Sequence, residues 1–310
     1  ACIVDHIEVA GVNLGDSACV IPPYILQVPS LAEIRAATQA LAKRLHVVGL
    51  MNVQYAIKKE DGRPKLYVLE VNPRASRTVP FVSKATGMPV AKIAAKVMAG
   101  QTLAELGCTS EPIPSHVSIK ESVFPFRKFI GVDIVLGPEM RSTGEVMGIS
   151  ERFSIAFAKS QLAAGVVLPD EGTIFISVAR RQKDYVVDIA KRLSELGYKL
   201  MATEGSARRI EEAGITVQHV NKLQEGHPNL LDYLVDGAIQ LILNTPSGKG
   251  ARTDEGKIRA AAVARGVPCI TTIQAADAAV RAMEALRHEE ITVQALQDRF
   301  APPVLKGVRG

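Results

Sequence analysis

The sequence predicts an α/β protein with two domains. The first, over residues 1–168, is expected to be α+β, with an antiparallel sheet and helices, and the second, over residues 172–300, to contain a parallel sheet. Three observations lead to this prediction: a hairpin signal in the first third of the chain, a linker-like break near residue 170, and strict alternation of strand and helix patterns after the break.

The hairpin signal lies between residues 51 and 72. Met51–Ile57 and Leu66–Val71 are short runs of strand-favouring residues, and the segment between them has Asp61-Gly62 at its middle. An antiparallel register centred on Gly62 pairs Asn52 with Asn72, Val53 with Val71, Gln54 with Glu70, Tyr55 with Leu69 and Ile57 with Tyr67. The apolar pairs are expected to form the core face, so that Gln54, Glu70 and Asn72 share the opposite face.

The polar face of this hairpin has the chemistry of a metal and phosphate site. Oxygen ligands with a single full carboxylate suit Mg²⁺, which keeps waters and completes its shell with substrate phosphates. Arg74 and Arg77 follow directly and are expected to supply guanidinium forks to phosphate. The alternative is a solvated hairpin edge that Pro73 terminates, but the combination of five residues with this register favours the site.

Composition indicates a globular chain that binds small anions. The 310 residues are 47% hydrophobic and 22% charged, which is typical of two globular domains. The sequence has no apolar run of membrane-spanning length and no signal-peptide pattern, so we expect a cytoplasmic protein. The four cysteines are far apart and the six histidines are scattered, which argues against disulfides and zinc. The net charge is +5, but the basic residues form no stripe interleaved with stacking aromatics. Binding of anionic metabolites therefore explains the positive charge better than binding of nucleic acid.

Two helices and two loops are recognisable in the first domain. The capping box Ser30–Glu33 is expected to open one helix, and a second is expected from Pro89 to Gly100, with Met98 as core filler. Val12–Ala18 is a small polar loop that can present backbone N–H groups to an anion, although such a loop is more often only a turn. The glycine-rich stretch Gly131–Gly148 receives no catalytic role, because structural packing and function explain it equally well.

The second domain follows the break at Ala163–Gly172. Five apolar segments are expected to be strands: Thr173–Val178, Tyr198–Thr203, Thr216–Val220, Ile239–Asn244 and Val267–Thr271. Helical stretches such as Asp184–Leu196 and Lys257–Arg265 separate them. This order predicts a parallel sheet covered by helices on both faces, with ligands bound beyond the carboxyl ends of the strands.

Polar groups occupy all of those carboxyl ends. The residues are Ser177, Thr203, Asn221-Lys222, Asn244-Thr245 and Thr271-Thr272, and together they can hold a phosphorylated ligand. Lys183 lies where the first helix of this domain begins, so its charge adds to the N-terminal dipole of that helix. The alternative for any single hydroxyl is that it caps the following helix.

Several motifs resemble those of a known family. They are Met51-Asn52-Val53-Gln54, Glu70-Val71-Asn72-Pro73-Arg74, Thr78-Val79-Pro80-Phe81-Val82-Ser83-Lys84-Ala85-Thr86-Gly87 and Leu136–Gly148. The first domain resembles the second, carboxy-terminal ATP-grasp half of the carbamoyl phosphate synthetase large subunit. Thr203–Ala207 and Asn244–Gly248 resemble the methylglyoxal-synthase-like domain that ends the same subunit. The resemblance covers about Asp5 to Phe300, and it implies an ATP-grasp carboxy-terminal subdomain followed by a Rossmann-like methylglyoxal-synthase-like domain.

The resemblance also implies an activity. The family is a glutamine-hydrolysing ligase that makes carbamoyl phosphate from bicarbonate, glutamine-derived ammonia and two molecules of ATP, for pyrimidine and arginine biosynthesis. The half represented here phosphorylates carbamate. Implied roles are Mg²⁺ or Mn²⁺ binding at Gln54, Glu70 and Asn72, ATP binding by Asn13, Gln54 and Glu70, and stabilisation of phosphoryl transfer by Arg74 and Arg77. Asn13 stands where the family has a phosphate-contacting His, and its amide can still donate a hydrogen bond.

Partners and regulatory sites follow from the same resemblance. The implied partners are the glutaminase small subunit and the rest of the large subunit, without nucleic acid or membrane, and an oligomer is left open. A nucleotide effector, UMP or the alternative IMP, is implied at Lys183, Thr203, Ser206, Lys222, Asn244, Thr245 and Pro246. An ornithine-type activator site is implied at Glu8, Asp16, Glu121 and Thr271, with Cys269 where some members have Tyr.

Two other classes of function stay open at this point. Ala1–Val4 already has the pattern of a strand interior, so a truncated start is expected, and this polypeptide alone is not expected to turn over ATP. One alternative is therefore a free-standing effector-binding module with the first domain as a scaffold. The other is a methylglyoxal-synthase-type lyase, which needs an Asp in a Gly-Gly-Asp-Gln segment. The corresponding stretch here is Ser247–Asp254, so the lyase interpretation is weak.

Overall fold

The computed structural model describes residues 2–8, 11–24, 26, 28–129, 131–246 and 253–300. Its strands are β1 (Asp5–His6), β2 (Cys19–Ile21), β3 (Asn52–Glu60), β4 (Arg63–Asn72), β5 (Val117–Val123), β6 (Gly144–Ser150), β7 (Thr173–Ser177), β8 (Lys199–Thr203), β9 (Gln218–Val220), β10 (Leu241–Asn244) and β11 (Cys269–Ile270). Its α-helices are α1 (Val28–Arg44), α2 (Thr78–Thr86), α3 (Val90–Met98), α4 (Phe153–Ala163), α5 (Lys183–Glu195), α6 (Glu204–Glu211), α7 (Leu230–Val235), α8 (Asp254–Arg265), α9 (Ile273–Leu286) and α10 (Leu296–Arg299).

The chain divides into two compact units. The first comprises Ala1–Val4, Ile21–Ser115 and Glu290–Gly310, and the second comprises Asp5–Val20 and His116–Glu289. The predicted domain boundary at residues 168–172 follows composition rather than compactness, and it stays a prediction. None of the described helices is long and apolar enough to cross a membrane.

The first unit contains the expected hairpin of β3 and β4. Asp61 and Gly62 form a two-residue turn with φ angles of 50° and 78°, as the favoured type I′ connection requires. The predicted pairs of Asn52 with Asn72, Val53 with Val71 and Gln54 with Glu70 are confirmed. The two pairs nearer the turn are wrong, because Tyr55 lies opposite Val68 and Ile57 lies opposite Leu66.

The difference has a simple geometric cause. A two-residue turn centres the register between Asp61 and Gly62, half a residue before the predicted centre. The register then shifts between Gln54 and Tyr55, because one extra residue, Leu69, is inserted in β4 as a bulge. The position of the turn and the bulge shift the register in opposite directions, and the two shifts cancel at the end of the hairpin away from the turn. The polar pairs there therefore agree with the prediction. Val68 and Leu69 are each 48% exposed, so the expected core face is only partly buried.

Helices of the first unit support this hairpin. Thr38 in α1 lies 2.8 Å, hydroxyl to hydroxyl, from Tyr55 in β3, which fixes the helix on the face opposite Gln54. The helix α1 begins two residues before the predicted capping box, and its Ile34 is buried. The helix α3 agrees with the prediction, but Met98 is 69% exposed, so its assignment as core filler was wrong.

The second unit begins with a four-stranded sheet in the order β1-β2-β5-β6. Helix α4 packs on β5 and β6, and the contact is close at Gly148 in β6. Lys159 of α4 donates from Nζ to the carbonyl oxygen of Ile149 at 3.0 Å, which adds a hydrogen bond to this packing. Ala156 is completely buried, so the helix backbone lies directly against the strand.

Replacing Gly148 by alanine should destabilise this layer by about 1–3 kcal/mol, because a rigid helix backbone has little room to move. A Cβ at Gly148 would overlap the carbonyl oxygen of Ala156 and lie 2.6 Å from the amide nitrogen of Ser160. Gly144→Ala in the same strand is the matched control, since a Cβ there meets only Val123, at 3.9 Å. Urea unfolding followed by circular dichroism measures both variants, and equal stability would contradict the close packing.

The rest of the second unit contains the predicted parallel sheet. Its order is β11-β10-β7-β8-β9, and all four neighbouring pairs are parallel. All five predicted strands are present, with ends that differ by a few residues. The expected helices after the first and fourth strands are α5 and α8. Phe175, Ile242, Leu230 and Ala262 belong to a buried cluster that joins the sheet to α7 and α8.

Candidate functional site

The hairpin brings three of the predicted site residues together. Gln54 and Glu70 are direct neighbours across β3 and β4, and Asn72 is two residues from Glu70 on the same face. Asn72 donates from Nδ2 to Glu70 Oε1 at 2.9 Å, so the amide oxygen of Asn72 is not used in this hydrogen bond. Glu70 is exposed, whereas Gln54 and Asn72 are half-buried.

Asn52 is a fourth oxygen donor on this face that the predicted metal set omits. It lies opposite Asn72, and its Oδ1 is buried without a hydrogen-bond partner in the described part of the chain. Amide oxygens and one carboxylate suit Mg²⁺, which takes its remaining ligands from water and phosphate. No group of three His, Cys, Asp or Glu side chains among the described residues could hold a metal ion. Amide oxygens with one carboxylate suit a cation that a phosphate substrate also binds.

Two guanidiniums follow the hairpin. Arg74 is exposed and donates from Nη1 to the carbonyl oxygen of Ala75 at 3.0 Å, a local contact that a phosphate could replace. Arg77 is also exposed and occupies the N-cap position of α2, a helix that was not predicted from the sequence. The N-terminus of a helix favours anions, so Arg77 adds a full charge to a favourable dipole.

Asn13 lies in the second unit, within a loop that is hydrogen-bonded to the glycine-rich stretch Gly131–Gly148. Its Nδ2 donates to the carbonyl oxygen of Pro138 at 3.0 Å, and its Oδ1 accepts from the backbone of Gly15 at 2.9 Å. Both ends of the amide are therefore engaged within the protein. Asp16 is buried and accepts from the backbone N–H groups of Arg141, at 2.7 Å, and Ser142, at 2.9 Å. These contacts support the packing explanation for the glycine-rich stretch.

A buried lysine, which was not among the predicted site residues, supports the same loop. Lys120 is 1% exposed and donates from Nζ to the carbonyl oxygens of Leu14, at 3.2 Å, and Gly15, at 3.4 Å. Its ammonium lies 3.5 Å from Glu145 Oε1, an ion-pair distance. Lys120 shares a face of β5 with Ser118 and Ser122, and such a polar face predicts exposure to solvent, so the pattern of the strand gave no sign that Lys120 is buried.

Two of the predicted activator residues form a carboxylate pair. Burial raises the pKa of Glu121 to about 7, and the nearby charge of Glu8 adds to this effect. Burial likewise raises the pKa of Glu8 to about 6, although a hydrogen bond from Thr272 opposes the shift. Gln161 donates from Nε2 to Glu121 Oε2 at 2.6 Å. Thr272 and Gln161 are thus contacts that the prediction lacked, since it named Thr271.

The contribution of Glu121 to stability should fall as the pH rises from about 4.5 to about 7, because Glu121 keeps its proton in the folded state after the unfolded chain has lost it. At this side chain the folded state binds more protons in this window, so its deprotonation favours unfolding. Glu121→Gln removes the ionisable group and should flatten this part of the profile. Urea unfolding midpoints at pH 5 and pH 8 measure the slope. An identical slope in Glu121→Gln and in Glu151→Gln, an exposed control, would contradict the assignment.

Hydroxyl groups at the strand ends of the parallel sheet and in the first turn of α6 contact the end of β7 and the residues after it. Thr203 Oγ1 lies 3.2 Å from Ser177 Oγ, Thr245 Oγ1 accepts from the backbone of Ala179 at 2.9 Å, and Ser206 Oγ accepts from Val178 at 3.3 Å. Thr203 is the N-cap of α6 but makes no capping hydrogen bond with its side chain. Thr272, by contrast, caps α9 through Ala275, as the capping alternative predicts.

The two predicted effector lysines differ in their surroundings. Lys183 is the first residue of α5, and its Nζ lies over Gly205 in the first turn of α6. The contact is so close that a Cβ at position 205 would collide with this Nζ. An ammonium at that position faces the same edge as Thr203 and Ser206. Lys222 is exposed, and its Nζ lies 3.4 Å from Glu225 Oε1. The Ser247–Gly248 part of the predicted motif lies outside the described residues.

Asn244 is fully buried at the end of β10. Its Oδ1 accepts from Nη1 of Arg259 at 2.8 Å, and its Nδ2 has no partner among the described residues. Arg259, on α8, is also fully buried and donates from Nε and Nη2 to the two oxygens of Asp133, each at 2.7 Å. Burial raises the pKa of the Cys269 thiol to about 12, partly offset by the charge of Arg259. Neither Arg259 nor Asp133 was among the predicted site residues.

Comparison with known proteins agrees with the motifs. Residues 185–271 match the MGS-like domain, and residues 2–106 match the carbamoyl-phosphate synthase L chain, ATP binding domain. The chain is 68% identical to the carbamoyl phosphate synthase large chain of Rhodopirellula baltica over 97% of its own length and 28% of that protein. It is 52% identical to the large chain of Methanothermobacter thermautotrophicus over 96% of its own length and 28% of that protein. For the large chain of Archaeoglobus fulgidus the identity is 53%, over 96% and 27%.

The chain thus spans just over a quarter of the length of the curated relatives that it matches. The two domain matches occur in the order that the motifs predicted, and the mixed architecture of an antiparallel region and a five-stranded parallel sheet is consistent with both. The predicted resemblance is therefore confirmed: over nearly its whole length the chain is similar to carbamoyl phosphate synthase large chains, and it contains segments that match both the ATP binding domain and the MGS-like domain.

Proposed function

We propose that this chain is part of a glutamine-hydrolysing carbamoyl phosphate synthase and that its first domain, over residues 1–168, takes part in the phosphorylation of carbamate. The observation that carries the proposal is the shared face of Gln54, Glu70 and Asn72, which the hairpin register produces. In the intact assembly the rest of the large chain and a glutaminase small subunit supply the other steps. The product serves pyrimidine and arginine biosynthesis.

The residues of the hairpin have distinct proposed roles. Glu70 and the amide oxygens of Gln54 and Asn72 hold Mg²⁺, or Mn²⁺, which neutralises phosphate charge when it is bound. Gln54 and Glu70 orient the nucleotide through the same oxygens. Arg74 and Arg77 stabilise the charge that develops on the transferring phosphoryl group. Asn13 stays a predicted ATP contact, and the engagement of its amide with Pro138 gives that role no support.

We further propose that the domain over residues 172–300 binds a nucleoside monophosphate as an effector, with UMP favoured over IMP. The ammonium of Lys183 over the first turn of α6 is suited to phosphate, and the hydroxyls of Thr203, Ser206 and Thr245 lie at the same sheet edge. Lys222 supplies a second charge if it leaves Glu225, and Asn244 meets the sugar or base. The MGS-like match over residues 185–271 supports this choice of domain.

Lys183→Ala should weaken binding of UMP or IMP by about ten- to 150-fold, because one charged hydrogen bond to phosphate is lost. Calorimetric titration of the chain with each nucleotide measures the change. Lys191→Ala is the matched control, because Lys191 lies on the same helix and pairs at the surface with Glu195. Unchanged binding in Lys183→Ala would contradict the phosphate contact of Lys183, and failure of the unsubstituted chain to bind either nucleotide would mean that the strand-end hydroxyls serve only the protein's own hydrogen bonds.

The carboxylates of Glu8 and Glu121 support an activator site for an ornithine-type diamine. Two half-buried carboxyls with raised pKa values gain from an ammonium placed between them, since the cation offsets both desolvation and mutual repulsion. Thr272 belongs to this proposed site through its hydrogen bond to Glu8. Asp16 and Thr271 stay predicted members, although both carboxylate oxygens of Asp16 already accept backbone hydrogen bonds.

The two alternative functions have less support. A free-standing effector module would have no use for the oxygen donors that the hairpin gathers in the first unit. A methylglyoxal-synthase-type lyase lacks its Gly-Gly-Asp-Gln segment in the sequence, and most of the corresponding stretch lies outside the described residues. Methylglyoxal formation from dihydroxyacetone phosphate by this chain would favour the lyase over the synthase.

A further inference from the structure

The guanidinium of Arg259 decides which way the Asn244 side chain points. Arginine only donates hydrogen bonds, so the atom of Asn244 that lies 2.8 Å from Nη1 must be the oxygen. The amide nitrogen then faces away from Arg259. Since this Nδ2 is buried and has no partner among the described residues, it is a donor held ready at the carboxyl end of β10.

Arg259 is itself held by a segment that is distant in sequence. Its Nε and Nη2 bond both oxygens of Asp133 in a fork, and Asp133 lies 126 positions before it. The same Asp133 accepts at Oδ1 from the backbone of Val135, at 3.2 Å, and its carbonyl oxygen accepts from Nη1 of Arg141, at 2.6 Å. The segment from Asp133 to Ser142, termed the 133–142 loop, is thus attached to α8 by a buried charge pair.

The far end of the 133–142 loop is attached to the loop that contains Asn13. Asp16 accepts from the backbone N–H groups of Arg141 and Ser142, so Asp16 and Arg259 hold opposite ends of one segment. A continuous series of hydrogen bonds therefore runs from Asn244 through Arg259 and Asp133 to Asp16. Each of these four side chains is buried or nearly so, which limits competition from water.

We infer that Arg259 is a positioning residue that holds Asn244 as a donor to an acceptor oxygen of the effector and couples effector binding to the 133–142 loop. The inference rests on the proposed effector function and extends it. A ligand oxygen that accepts from Asn244 Nδ2 stabilises the amide orientation that Arg259 imposes, and thereby the fork to Asp133. Because coupling between sites is reciprocal, order in the loop favours the same ligand.

Two variants separate the parts of this inference. Arg259→Lys keeps the charge, but an ammonium cannot form the planar fork to Asp133 and reach Asn244 together. Asn244→Asp keeps an oxygen toward Arg259 and replaces the free donor with an acceptor. Arg265→Lys is the matched control, since Arg265 is exposed on the same helix and donates a hydrogen bond to the carbonyl oxygen of Val235.

Hydrogen exchange at the backbone N–H groups of Arg141 and Ser142 measures the coupling, without nucleotide and with UMP or IMP. We expect nucleotide to slow this exchange at least threefold in the unchanged chain and not in Arg259→Lys. Asn244→Asp should bind nucleotide at least tenfold more weakly while its exchange without nucleotide stays unchanged. Faster exchange in Arg259→Lys than in Arg265→Lys is expected even without nucleotide.

The outcomes distinguish this inference from the proposed effector function. If the unchanged chain binds neither nucleotide, the effector function fails, while exchange in Arg259→Lys without nucleotide still tests the positioning role. Exchange in Arg259→Lys equal to that in Arg265→Lys overturns the inference. If Arg259→Lys does not fold, Asp133→Asn, which keeps one oxygen for Arg259, takes its place with the same expected exchange. Binding of nucleotide with no slowing at Arg141 or Ser142 overturns the coupling alone.

Discussion

Glu70→Gln should lower carbamate phosphorylation by a full-length large chain at least about 100-fold, a loss typical of removing an electrostatic contact to the transition state. Glu70 is the carboxylate that lies directly opposite Gln54 and two residues from Asn72 on the same face. An amide is a weaker ligand than a carboxylate for Mg²⁺. The variant should keep the fold, because Glu70 is exposed and its carboxylate accepts a hydrogen bond from the neighbouring Asn72, which a glutamine oxygen can also accept.

Formation of ATP from ADP and carbamoyl phosphate at saturating Mg²⁺ measures this half reaction. Glu60→Gln is the matched control in the same hairpin, since Glu60 sits beside the turn and contacts Lys58, Lys65 and Tyr67. Circular dichroism of both variants reports whether the fold is kept. Near-normal activity of Glu70→Gln would contradict the metal assignment, as would an equal loss in Glu60→Gln.

The hairpin illustrates how far local sequence patterns determine a site. Asp61-Gly62 fixed the turn, and the alternation of side chains then placed Gln54 and Glu70 on one face. The bulge at Leu69 was not predictable, because an inserted residue changes the register without changing the apolar pattern around it. The prediction of the polar pairs was correct only because the turn and the bulge shift the register in opposite directions.

The parallel sheet was predictable for a different reason. Buried strands such as Ile174–Ile176 and Leu241–Leu243 are continuous apolar runs, and the helices between them force parallel connections. The ends of the strands were less certain. β11 ends at Ile270, so Thr272 caps α9 and reaches Glu8, whereas the prediction had selected its neighbour Thr271.

Buried charges were the features that sequence could not supply. Arg259 lies among alanines in an ordinary helix, where arginine is usually exposed, and its partner Asp133 lies in a loop 126 positions away. Lys120 is a similar case, because its acceptors are backbone oxygens of Leu14 and Gly15. A charge can be buried only when such partners exist, and only the tertiary structure reveals them.

Asp133→Ala should destabilise the second unit by about 3–5 kcal/mol, because it leaves the fully buried guanidinium of Arg259 without its counter-charge. Urea unfolding followed by circular dichroism suits the measurement, since the chain has no Trp. Asp188→Ala is the control: Asp188 also pairs with an arginine, Arg192 at 3.6 Å, but it is 73% exposed. Its removal should change stability by less than about 1 kcal/mol.

The double variant Asp133→Leu with Arg259→Met should lose less stability than Asp133→Ala, although it lacks both charged groups. Replacing a buried ion pair by apolar side chains removes the desolvation penalty together with the attraction, so the net change is small. A residual loss of about 1–3 kcal/mol is expected, because Asn244 Oδ1 loses the donor Nη1 of Arg259 and stays buried. If the double variant were instead as unstable as the sum of Asp133→Leu and Arg259→Met, each measured alone, the two side chains would act independently, and the 2.7 Å fork between them would not be a stabilising unit.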